Sequence, residues 1–461
     1  MRTEQDMLGE ILLPDDVLYG AQTARAKDNF ALGEQQVNLS LIYAIVTVKK
    51  AAAVTYRELG LMERQKCDAI VSACDDVLAG RANDAFITHP LQGGAGTSTN
   101  MNVNEVLANL ALQKLGREAG EYSFIHPLDH INRGQSTNDV YPTALRIASI
   151  WAVRTLSDEC AKIQEALQKK EQEYADILKI GRTELMDAMP ITLGQEFGAY
   201  AQAIARDRWR IYKVEERLRQ VSLGGTAVGT GSLTERRYAY KVIEVLRDLT
   251  GIGLAKSEYP MDITQNNDVF VEVSGLLKAL AVSLMKISTD LRLMNSGPNG
   301  GLGEIILPKL QMGSTIMPGK VNPVIPEMVT HVAIRVIAND TAISMAAASG
   351  NFELNAFMPL IANCLLESLE LLTASVKLFR IKCIELLVPN VERCHEHLER
   401  SMVLVASLAP VIGYDNATDI YRECGNNPDK IRETVLEKGL LSPQELDNLL
   451  DYKKSVTYRN T

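Results

Sequence analysis

Residues 313–323, GSTIMPGKVNP, set two adjacent hydroxyls (Ser314, Thr315), one lysine (Lys320) and one amide (Asn322) among glycines and prolines. Glycine and proline punctuate structure, so this is a loop. Three further polar stretches carry similar groups. GGAGTSTNMNVNE at 93–105 holds Thr97, Ser98 and Asn100; HPLDHINRGQSTNDVYP at 126–142 holds Ser136, Thr137 and Asn138; GRTELMDAMPITLGQE at 181–196 holds Thr183 and Glu184. Clustered hydroxyls and amides near helix N-termini suit a carboxylate, because backbone N–H groups there add further donors. Lys320 adds a fixed positive charge. Any one Ser–Thr pair is ordinarily an N-cap or a hydroxyl turn. Four such loops in one chain, with glycines beside three of them, point to a small dianion bound between helices. One other Gly-rich run, LGGTAVGTGS at 223–232, has no preceding strand and no Walker lysine, so it reads as a helix-to-helix connection.

Long helices must position these loops. No proline falls between Pro142 and Pro190, between Pro190 and Pro260, or between Pro260 and Pro298, and such gaps permit very long helices. In the first gap Val153, Leu156, Cys160, Ile163, Leu167, Tyr174 and Ile177 trace the seam of a helix packed on near-parallel neighbours. Residues 264–294 are apolar on nearly every face, and 328–350 and 359–388 repeat the theme. Strand signals are weak: aromatics make up 5% and period-two runs are short. The expectation is a mainly α protein with an N-terminal domain (1–140), a central helical bundle (141–395) and a small C-terminal domain (396–461). A helix apolar all round in a narrow bundle needs other subunits to cover it, which predicts a homo-oligomer.

Composition narrows the function. The 461 residues are 46% hydrophobic and 23% charged with a net charge of −9, so a core can form without disulfides or metals. No basic run or basic–aromatic alternation suggests nucleic acid. MRTEQDMLGE lacks the apolar stretch of a signal peptide, and no segment reaches ~18 uninterrupted apolar residues, so no membrane association is expected. The seven cysteines form no CxxC pair and the six histidines are scattered. They read as core thiols of a cytoplasmic protein, with His395 and His397 on a loop or solvated face; no metal or cofactor is expected.

GSTIMPGKVNP resembles the GSSxMPxKxNP signature of the fumarase/aspartase superfamily. GTSTNMNVNE, GQSTNDVYPT, GRTxxxDAxPxTLGQE and GGTAVGTG are similar to its other blocks, in order and spacing, across essentially the whole chain. Within the superfamily, KVNPVIPE and LPKLQMGS look most like aspartate ammonia-lyases, whereas GNFELNAF looks more like class II fumarases. The resemblance implies a three-domain, mainly α fold whose central bundles form a twenty-helix core in a homotetramer. It also implies active sites built from loops of three subunits.

The implied reaction removes a proton from the carbon next to a carboxylate and then expels a leaving group from the neighbouring carbon. Preorganised donors must stabilise the aci-carboxylate between these steps. By the resemblance Ser314 is the general base. Ser136, Thr137 and Thr315 hold the reacting carboxylate, and Lys320, Asn322 and Thr183 hold the other. Thr97, with Ser98 beside it, and Asn138 contact the leaving group. The glycines at 297, 300, 301 and 303 suit a closing loop. The implied activity is elimination of ammonia or an amine from L-aspartate or a related amino acid, giving fumarate or an analogous unsaturated acid. The alternatives are a lyase of a larger or N-substituted amine, a class II fumarase, and a non-catalytic homologue.

Three positions depart from the family pattern. Leu128 replaces the asparagine of HPND, which puts a secondary anion site in doubt, and Asn299 replaces the arginine of SGPR. Glu184 stands where the family has histidine or glutamine; that histidine pairs with a glutamate matched here by Glu327. Two adjacent carboxylates cannot both ionise cheaply unless a cation lies between them, and a substrate ammonium is such a cation. An ammonium also needs no added proton to leave, whereas hydroxide needs a donor.

Overall fold

The computed structural model describes residues 1–451 and 456. It is dominated by helices, the longest being Thr137–Glu173, Leu193–Leu218, Asp268–Met294, Val324–Ala348 and Met358–Phe379. These fall where the proline gaps and apolar runs place them, with one difference. The first begins at Thr137 and passes through Pro142, so the proline lies inside the helix rather than bounding it. In that helix Val153, Leu156, Cys160, Ile163 and Leu167 are buried as the seam requires; Tyr174 and Ile177 lie beyond its end.

The chain divides into two compact units. One comprises Met1–Ser157, Trp209–Ala281 and Ile334–Thr373; the other comprises Asp158–Arg208, Val282–Ala333 and the chain from Ala374 onward. In the first unit the Leu39–Glu58 helix packs against Arg64–Leu78, Thr97–Lys114 and Arg236–Thr250. Its run AIVTVKKAAAV is almost wholly buried, and Asn38 caps it by accepting the Ser40 N–H. Leu39–Glu58 and Met358–Ile384 have the length and apolarity of membrane spans, yet most of each is buried inside the protein as core.

In the second unit the last helices, from Leu404–Ile412 to Pro443–Leu449, close around Leu408, Ile420, Val435 and Leu446. All seven cysteines are buried free thiols. His395 is exposed, as its sequence neighbourhood suggests, but His397 is not on a solvated face: it turns inward onto Glu304.

Among the described residues, the strands that the weak β signal hides are four two-stranded sheets. Arg2–Asp6 pairs antiparallel with Gly9–Leu13, and Leu178–Thr183 with Met186–Thr192. The second hairpin turns on Glu184 and Leu185, both at positive φ (53° and 66°), which is the geometry of a two-residue hairpin turn that follows strand twist. The third polar stretch is therefore a hairpin running into a helix, with Thr183 at the last strand position and Glu184 at the exposed tip.

Candidate active site

The predicted residues fall into two groups. Thr97, Ser98, Ser136, Thr137 and Asn138 belong to the first unit; Thr183, Glu184, Ser314, Thr315, Lys320, Asn322 and Glu327 belong to the second.

In the first unit both polar loops end at helix N-termini. Gly96 precedes the Thr97–Lys114 helix at φ 91°, and a Cβ there would lie 2.4 Å from the Tyr141 ring, so only glycine fits. Thr97 and Ser98 open the helix, and Ser98 lines a cavity of about 640 Å³ whose rim includes Leu128, the residue that departs from the HPND pattern. Ser136 and Thr137 open the Thr137–Glu173 helix. The Thr137 hydroxyl accepts from Asn100 Nδ2 at 3.1 Å, which brings together residues from two of the polar stretches. Asn138 Nδ2 donates to the Ala227 carbonyl at 2.7 Å.

Behind these hydroxyls lies a buried polar cluster. Lys49 Nζ donates to Asn132 Oδ1 at 2.7 Å, and the same oxygen receives Asn100 Nδ2 and Asn104 Nδ2 at 3.1 and 3.2 Å. Burial pushes the Lys49 ammonium down to about 7, although the Asp139 charge opposes this. Burial pushes the Asp139 carboxyl up to about 6, against the N–H groups of Ser136, Thr226 and Gly224 and the Lys49 charge. A lysine inside the apolar run 44–54 is the signal that could have drawn attention to this cluster.

In the second unit the 313–323 loop is pinched shut at its base. Gly313 N–H donates to the Lys320 carbonyl at 2.8 Å, and Asn322 Nδ2 donates back to the Gly313 carbonyl at 3.0 Å. A Cβ on Gly313 would lie 2.7 Å from the Asn322 nitrogen. The pinch orders the turn above it. Ser314 Oγ accepts the N–H of Ile316 at 3.2 Å and of Met317 at 2.9 Å. Two N–H groups aimed at one hydroxyl oxygen favour negative charge there. Thr315 and Lys320 are exposed.

Lys320, Asn322 and Glu327 line a cavity of about 950 Å³ together with Arg292 and Lys309. Glu327 lies 3.7 Å from Arg292, so within this unit its ionic partner is a cation. Glu184 makes no hydrogen bond or ion pair among the described residues.

An ion cluster centred on the buried Glu304 and Lys179 ties the hairpin to the Val391–Glu399 helix. Glu304 meets Lys179 at 2.9 Å, Arg182 at 2.8 Å and His397 at 3.0 Å, and Lys179 also meets Glu196 at 2.8 Å. Burial raises the Glu304 carboxyl, but the Arg182 hydrogen bond, the Lys179 charge and His397 outweigh it and bring it down to about 2. These residues sit far apart in sequence, and nothing in their spacing announces them.

Residues 9–338 match a family model described as lyase, and residues 404–454 match one described as the fumarase C C-terminus. The chain belongs to the fumarase/aspartase superfamily. It is similar to an aspartate ammonia-lyase of Bacillus sp (43% identical over 451 residues, 98% of this chain and 96% of that one). A second aspartate ammonia-lyase, from Escherichia coli strain K12, is 42% identical over 97% of this chain and 95% of its own. A class II fumarate hydratase of Myxococcus xanthus is 43% identical over 97% and 96% of the two chains. Among solved structures, "fumarate lyase:delta crystallin" from Brucella melitensis bound to cobalt superposes with a TM-score of 0.95 at 44% identity, covering 99% of this chain and 100% of that one. Class II fumarase from Schistosoma mansoni superposes with a TM-score of 0.96 at 34% identity, covering both chains fully. The mainly helical fold of the superfamily is thus the fold of this chain.

Proposed function

We propose that this protein is a carbon–nitrogen lyase that eliminates ammonia from L-aspartate or a closely related amino acid to give fumarate or an analogous unsaturated acid. The observation that carries the reading is Ser314, whose oxygen accepts two backbone N–H groups in a loop pinched shut by Gly313 and Asn322. Those donors favour the alkoxide, which takes the proton from the carbon beside the reacting carboxylate. The electron pair moves into that carboxylate, giving the aci-carboxylate, and Ser136, Thr137 and Thr315 receive the added charge. The pair then returns to form the carbon–carbon double bond. The carbon–nitrogen bond breaks, and the ammonium leaves as neutral ammonia without an added proton.

Lys320, Asn322 and Thr183 hold the second carboxylate, and Thr97, Ser98 and Asn138 line the leaving-group side. Asn138 spends its N–H on Ala227, so the oxygen of its amide is free to accept from an ammonium. Arg292 already answers the charge of Glu327, which leaves Glu184 to meet the substrate's cation. A homotetramer with a twenty-helix core and sites shared among three subunits, a three-domain division at 140 and 395, and a cytoplasmic location belong to the same reading. Val282, Ile334 and Met345, apolar and exposed on long helices of the single chain, support the assembly. The deciding experiment follows ultraviolet absorbance at the fumarate band with L-aspartate, L-malate and N-substituted aspartates in parallel. Turnover of L-aspartate supports the proposal. A strong preference for an N-substituted aspartate would move the assignment to a larger amine, and a strong preference for malate would move it to hydration chemistry.

A further inference from the structure

We infer that Asp139 is a positioning residue that clasps the Ser136–Asn138 turn to the 224–227 loop, making one wall of the substrate site from two chain segments. The proposal rests on the carboxylate-binding role given above to Ser136 and Thr137. Asp139 is fully buried in the first turn of the Thr137–Glu173 helix. Its Oδ1 accepts the Ser136 N–H at 2.9 Å, and its Oδ2 accepts the N–H groups of Gly224 at 3.1 Å and Thr226 at 2.9 Å. Ser136 Oγ in turn accepts the Asn138 N–H at 3.2 Å, and Asn138 Nδ2 reaches across to the Ala227 carbonyl at 2.7 Å. The Gly-rich run at 223–232, which reads from sequence as a mere connection, is the other half of this clasp.

The chemistry demands a carboxylate. All three groups facing Asp139 in these bonds are donors, and only an ionised acid offers acceptors in every direction at that length. An amide would turn an N–H towards at least one of them. The helix N-terminus favours the negative charge. Thr226 sits at φ 59°, a conformation that a β-branched residue keeps only when its surroundings impose it. Its N–H is held by Asp139. The consequence reaches the substrate side: with the loop fixed, Ala227 fixes the Asn138 amide and presents its oxygen.

Two measurements test this. Asp139→Asn keeps the shape and removes the charge. We expect KM for L-aspartate and the inhibition constant of succinate both to rise by about tenfold or more, as loss of charge-assisted bonds predicts. The change in kcat should be smaller, and circular dichroism and oligomeric state should match the parent. Values within twofold of the parent in a folded variant would overturn the clasp. Should the variant not fold, hydrogen exchange on the parent decides. Peptides covering 134–140 and 222–228 should exchange slowly at a common rate and slow further together when succinate is added. Fast exchange of 222–228 beside a slow 134–140 would overturn the proposal. The two readings fail separately: a parent inactive on L-aspartate sinks the proposed function while linked exchange can still stand, whereas an active parent with an indifferent Asp139→Asn sinks only the clasp.

Discussion

The oxygen of Ser314 lies 2.9 Å from the backbone nitrogen of Met317 and accepts its hydrogen bond, with Ile316 donating a second at 3.2 Å. A serine hydroxyl is a poor base in water. It becomes a useful one only where fixed dipoles stabilise its anion, and the folded loop supplies two without any change of conformation. Ser314→Ala deletes the proposed base and leaves the pinch between Gly313 and Asn322 intact. Turnover should fall by roughly a hundredfold or more, the usual span of a general base, with an unchanged elution volume on gel filtration. Retention of more than a few per cent of activity would show that another group takes the proton.

Lys320 is exposed within the cavity that Asn322 and Arg292 also line. Its assigned partner is the carboxylate that does not react, so it binds ground state and transition state alike. Lys320→Ala should therefore weaken succinate by about 1.5–3 kcal/mol, the value of a hydrogen bond to a charged group, and raise KM in step. The check is a succinate inhibition series on parent and variant. Equal inhibition constants would move Lys320 out of the site.

Glu304 gives the second unit an acid-sensitive anchor. Its folded carboxyl is held at about 2, below the ordinary 4.5. The stability it contributes is therefore complete above about pH 4.5 and is lost as pH falls towards 2. Glu304→Gln leaves the buried Lys179 with Glu196 alone and the part-buried Arg182 without its anion, so the loss should stay at or below the roughly 3–5 kcal/mol of a fully buried pair that loses one member. Urea midpoints measured between pH 7 and pH 3 should be lower for the variant at neutral pH and flatter below pH 4.5. Parallel curves for the two proteins would place the acid sensitivity elsewhere.

What was legible in the sequence divides along physical lines. Helix existence follows from local pattern: the proline-free gaps and the seam through Val153, Leu156 and Cys160 correspond to real long helices. The 313–323 loop was also legible, because glycine, proline and short hydroxyl side chains are local signals. The hairpin at 178–192 was not, since its strands carry lysine, arginine and aspartate beside Ile180 and Ile191 and lack clean alternation. The supporting charges were hidden for another reason. Asp139 joins Gly224, and Glu304 joins Lys179 and His397, across separations of about 85 to 125 residues, and a buried charge has no periodicity to betray it. Arg292 beside Glu327 changes the meaning of the Glu184 departure, because it supplies a cation that the sequence comparison alone did not place there.

Glu184 stands at the tip of the Leu178–Thr183/Met186–Thr192 hairpin, exposed and at positive φ. A side chain so placed is free to reach a ligand or a neighbouring copy of the chain. If it meets the substrate's ammonium, its charge stabilises the bound amine, and removing the charge should be felt only by substrates that carry one. Glu184→Gln keeps the shape and should slow elimination from L-aspartate while leaving succinate inhibition near that of the parent. Glu184→His supplies a proton donor at the hairpin tip, and a hydroxide leaving group needs such a donor. That variant should gain malate dehydration relative to the parent and lose aspartate turnover. The comparison requires parent and both variants on L-aspartate and L-malate, with succinate as the common inhibitor. Identical aspartate kinetics in all three proteins would show that Glu184 does not touch the leaving group, and the amine specificity would then have to rest on Asn138 and Thr97.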